Sequence, residues 1–94
     1  MQVHPNETVV VASVLKLTPC QDGQGFDLDL EIGENQSPDP ANDFLKPKPG
    51  DRLSVYAASR GDLYEGQKVL ATLALLAGPF QERTILRKFS AAKP

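Results

Sequence analysis

"DLYEGQKVLATLALLA", residues 62–77, carries two incompatible periodicities, and the fold class depends on which of them holds. Asp62 with Glu65 fits a capping box, the alanine and leucine content suits a helix, and Gly78-Pro79 makes an acceptable helix stop. Against that, Gly66 would sit in the first turns of the helix, at a cost of about 1 kcal/mol relative to alanine. Val69, Ala71, Leu73, Leu75 and Ala77 also alternate as a half-buried strand does, with Gly78-Pro79 as the turn that follows. The strand reading makes the chain mainly β with five strands. The helix reading gives an α+β alternative, four strands with a helix at about 62–77. We take the strand as the expectation.

The flanking sequence supplies the other strands. Residues 25–32, "GFDLDLEI", alternate strictly: Phe26, Leu28, Leu30 and Ile32 form an apolar face, and Asp27, Asp29 and Glu31 a wet one. Residues 8–17, "TVVVASVLKL", are apolar on both parities for their first half, as a strand is where it bends from one sheet layer into another. "TPCQDGQG" joins these two segments with the chemistry of a reversing turn, so a hairpin is expected. In "PKPGDRLSVYA", residues 47–57, a hard stop precedes a third strand with Leu53, Val55 and Ala57 inward and Arg52, Ser54 and Tyr56 outward. Residues 82–89 read as a last strand, with Ile85, Leu86 and Phe89 set among Arg83, Arg87 and Lys88.

Between the second and third strands, residues 33–50 form a long Pro-rich loop with four prolines. Asp39-Pro40 is expected to start a single helical turn that Pro47 ends. Loops of this length in small domains are usually functional or mobile. The whole of 1–94 is expected to be one small domain with flexible ends at 1–7 and 90–94.

Composition narrows the function. With 40% hydrophobic and 23% charged residues, the chain can bury one modest core. No apolar run approaches the roughly 20 residues of a spanning helix, and the first residues lack a basic n-region, so a cytoplasmic location without membrane contact is expected. One cysteine, Cys20, and one histidine, His4, provide neither a disulfide nor a zinc-ligand spacing. Both are read as incidental. No GxSxG elbow, phosphate loop or dinucleotide fingerprint occurs, and a serine or cysteine nucleophile would have only the terminal His4 as base. The expectation is no enzyme and no cofactor.

The carboxylates Asp27, Asp29 and Glu31 recur at about 6.5–7 Å along one strand face, too widely for all three to hold one ion directly. No metal site is assigned. They read as a solvated face paired with basic neighbours such as Arg52. Residues 1–50 carry three lysines against eight acids, and 51–94 seven basic residues against four acids. Acidic and basic strands lying side by side would compensate that asymmetry.

Five short strands, the first of them long, resemble an oligonucleotide-binding (OB) barrel over residues 8–89. The resemblance is to a fold, with no family motif behind it. It implies a binding face around the second and third strands and their flanking loops. On this chain that face offers Tyr56, and Tyr64 beside it, for stacking, and Arg52 and Arg60 for phosphates. Asp27, Asp29 and Glu31 would repel phosphate there, so any nucleic acid would lie on Arg83, Arg87 and Lys88 of the last strand. The primary expectation is therefore a non-catalytic binding or assembly module that engages a protein partner or a second copy of itself. Its candidate surfaces are Phe44 and Leu45 in the Pro-rich loop and any open strand edge. For Phe44 and Leu45, capping of the open barrel end is the plainer role.

Overall fold

The computed structural model describes residues 6–21, 23–77 and 82–92. Five strands, β1 (Thr8–Pro19), β2 (Phe26–Asn35), β3 (Arg52–Ala57), β4 (Lys68–Ala77) and β5 (Glu82–Ala91), close into a barrel in the order β1-β2-β3-β5-β4. All pairings are antiparallel except β3–β5, which is parallel and narrow, with Tyr56 opposite Ile85. No helix forms at 62–77: Gly66 takes φ 90°, which a helix does not allow, and 68–77 is strand.

The alternations set the register. Leu28, Leu30 and Ile32 of β2 meet Val10, Ala12 and Val14 of β1, Val55 and Ala57 of β3, and Val69, Ala71 and Leu73 of β4 in one core. β1 turns its outer face through two irregularities in its ladder with β2, at Val11/Ala12 and at Val14/Lys16. The extra residue of the second is Leu15, which is pushed outward and exposed, while Leu17 returns to the core. That bending accounts for β1 pairing with β2 along most of its length and with β4 only over Thr8–Ser13.

Each end of the barrel is closed by a loop. The β3–β4 connection buries Leu63, held by a bond from Arg60 Nε to the Leu63 carbonyl, and meets β1 where Gly66 N–H donates to Val14 O. The opposite end is closed by the 36–51 loop around Asp43, which is 4% exposed. Its carboxylate accepts from Thr8 Oγ1 (2.7 Å), Asn35 Nδ2 (2.7 Å) and the Lys46 amide (2.8 Å). Lys46 adopts φ 45°, the left-handed region, as its N–H turns back to that carboxylate. Burial alone would push the Asp43 carboxyl up, but the hydrogen bonds from Asn35, Thr8, Lys46 and Ser37 outweigh it and hold it below its ordinary 3.8.

Asp39 does cap a turn, accepting from the Ala41 amide and from Asn42, but the turn ends at Asp43 rather than at Pro47. Gly50, at φ 91°, then feeds the chain into β3. Hydrogen bonds reach residues on either side of the barrel strands. Asn6 uses its side-chain amide as a further rung of the β1–β4 ladder, donating to Leu75 O and accepting from Leu75 N–H, and Ala92 N–H donates to Lys68 O. Residues 1–5, 93 and 94 lie outside the described residues. No helix among the described residues is long and apolar enough to cross a membrane.

Candidate functional site

Pleating sends Asp27, Asp29 and Glu31 of β2 to the outer surface, between β1 and β3. Each has a cation nearby. Glu31 pairs with Arg52 at 3.8 Å, Asp29 faces Lys16 across the ladder, and Asp27 shares a cleft with Arg83. The Glu31–Arg52 pair is exposed, so it steadies the sheet by at most about 1 kcal/mol. Among the described residues no three His, Cys, Asp or Glu side chains converge as metal ligands would.

Tyr56, the aromatic residue of this face, is already occupied. The Arg83 guanidinium lies 4.0 Å from its ring centroid, and the β1–β2 turn passes so close that a Cβ on Gly25 would stand 2.5–2.7 Å from the Tyr56 hydroxyl and ring. Gly25 (φ 82°) is needed there for both reasons, backbone and space. Phe44 and Leu45 separate: Leu45 packs against the core, whereas Phe44 is exposed. His4 lies outside the described residues.

Arg87 and Lys88 stand elsewhere, on the second half of β5. Thr72 pairs with Lys88 and Leu73 with Leu86, so Arg87 is the extra residue of a β-bulge. Beyond the bulge Lys88 points outward and Phe89 packs against the core. β3 does not follow β5 this far. Its last residue is Ala57, and a groove of about 320 Å³ opens between Ala57–Ser59 on one side and Leu86–Phe89 on the other.

The hydrogen-bond phase of β5 fixes what lines that opening. Antiparallel ladders alternate hydrogen-bonded and non-hydrogen-bonded pairs. Ala92 N–H donates to Lys68 O, so Leu70↔Ser90 and Thr72↔Lys88 are the bonded pairs of this ladder, and Val69↔Ala91 and Ala71↔Phe89 are not. The β1–β4 ladder agrees: Val14 N–H donates to Gln67 O, which directs Val69 and Ala71 toward β1 and leaves Lys68 and Leu70 for β5. The main-chain groups of Phe89 and Ala91 therefore face away from β4, those of Phe89 at the opening and those of Ala91 one rung beyond it. Among the described residues no main-chain bond outside the strand ladders reaches them.

The candidate residues thus divide into a compensated face holding Arg52, Tyr56 and Arg83, and an open edge beside Arg87 and Lys88. The edge could not be read from the sequence, because it depends on where parallel β3 stops along β5. No protein-family model, curated protein or solved structure matches the chain.

Proposed function

We propose that the protein is a non-catalytic binding module that engages a protein partner by taking an extended segment of it as an added strand along the second half of β5. The observation that carries this reading is the row of main-chain donors and acceptors at Phe89 and Ala91, turned away from β4 on the side where β3 has ended, with Phe89 in the wall of the groove that opens there. Strand addition draws affinity from such groups and specificity from alternate side-chain pockets. The closed barrel behind them holds the edge in place before any ligand arrives, which lowers the ordering cost of binding.

Single-stranded nucleic acid is the competing ligand for a barrel that resembles the OB type. On the last strand, where its phosphates would lie, Arg83 is engaged with Tyr56 and the bulge at Arg87 separates it from Lys88, and on the β2–β3 face the ring of Tyr56 is covered and β2 presents three carboxylates.

The test is a peptide-display selection on the immobilised chain, counter-selected on Ala91→Pro, with a salt-dependent titration of single-stranded oligonucleotide alongside. Peptides that bind the wild type and lose binding to Ala91→Pro support the proposal. Peptides indifferent to Ala91→Pro, or oligonucleotide binding that falls steeply with salt, would overturn it.

A further inference from the structure

We infer that the segment accepted by β5 alternates apolar and acidic residues. The inference rests on the edge reading above and adds the chemistry of the ligand. In an added strand, successive side chains point to opposite faces. One face meets the apolar part of the groove, Ala57, Ala58, Leu86 and Phe89. The other lies beside Arg87 and Lys88, both exposed.

What sets these two cations apart from the other arginines of the described residues is position together with lack of prior engagement: they line the groove itself. Arg52 is paired with Glu31, Arg83 lies over Tyr56, and Arg60 donates to the Leu63 carbonyl. Among the described residues Arg87 and Lys88 form no ion pair. Although the whole chain is net negative, at −2, the open edge is locally positive. A lysine beside an open edge also discourages a second copy from pairing there, because two such edges would bring their cations together. Charge complementarity thus favours an acidic peptide over another copy of this chain.

The probe is a capped octapeptide of alternating valine and glutamate, with glutamine and lysine versions for comparison, titrated into the ¹⁵N-labelled full chain. The expected result is movement of the Phe89 and Ala91 amides by the glutamate peptide. Each exposed ion pair contributes up to about fivefold, so with two pairs the glutamine version should bind between about twofold and about 25-fold more weakly. That difference should shrink in about 1 M salt. The double variant Arg87→Glu/Lys88→Glu should reverse the order and favour the lysine peptide, a gain that misfolding could not produce.

Equal binding of all three peptides at Phe89 and Ala91 would overturn the acidic chemistry and leave the edge reading standing. If no peptide moved those amides, the edge reading itself would fall. A free chain that sediments as a dimer with the Phe89 and Ala91 amides already protected would make a second copy the occupant and overturn the inference.

Discussion

A pair of proline substitutions separates the two sides of β5 at adjacent residues. Ser90 and Ala91 are both exposed, so replacing either side chain removes little packing. Their main-chain groups differ. Ser90 belongs to the bonded pair with Leu70, so Ser90→Pro deletes a ladder hydrogen bond, leaves the Leu70 carbonyl without its donor and drives the ring toward β4. One lost bond with a stranded partner costs about 2 kcal/mol. For a domain of this size that lowers Tm by about 10 °C. Ala91 directs its N–H away from β4, on the unpaired side of the strand, where proline is tolerated. The restriction that proline imposes on the preceding residue favours the extended conformation Ser90 already has. Ala91→Pro should therefore change stability by less than about 0.5 kcal/mol. Urea and thermal melts followed by far-ultraviolet circular dichroism measure both. Equal losses for the two variants would refute the hydrogen-bond phase and close the edge. No loss in either would show that the second half of β5 is not paired with β4.

Three further outcomes follow from the packing. Asp43→Asn sets an amide donor against groups that now donate to the carboxylate, and should cost about 2–3 kcal/mol at neutral pH by chemical denaturation. Because the folded-state pKa of Asp43 lies below its unfolded value, its contribution is fully present above the unfolded value near 3.8 and is lost as pH falls through the lower folded value; stability of Asp43→Asn should accordingly fall less steeply below about pH 4 than that of the wild type. Gly25→Ala forces a Cβ into the Tyr56 ring at a positive φ, and should cost about 2 kcal/mol and abolish the ring-current shift on the Arg83 side-chain resonances in NMR spectra. Arg52→Ala removes only an exposed pair, and its melting curve should stay within about 0.5 kcal/mol of the wild type.

Local alternation made the strands legible. "FDLDLEI" could be sorted into core and solvent faces residue by residue, and the apolar parity of 69–77 marked β4 once Gly66 counted against a helix. The compensation of acidic by basic strands was also readable as a charge asymmetry, and Glu31–Arg52 is one instance of it. Features set by contacts distant in sequence were not readable. Asp43 looks like one more polar residue of a Pro-rich loop, because its partner Thr8 is 35 positions away and nothing local marks the pair. Leu63, in a turn-rich stretch, gives no sign that it plugs the barrel. The basic residues of 82–89 read as one face, whereas the bulge at Arg87 separates Arg83, stacked on Tyr56, from Lys88 at the edge. The open edge is the extreme case: it arises from the parallel β3–β5 pairing, which no turn in the sequence specifies.

Residue-resolved amide hydrogen exchange on the free chain reads out whether β5 presents unpaired main chain beyond β3. The expected result is an alternation along one strand, with the amides of Lys88 and Ser90 protected by β4 and those of Phe89 and Ala91 exchanging far faster. Protection of Phe89 and Ala91 equal to that of Ser90, in a chain shown to be monomeric, would contradict it.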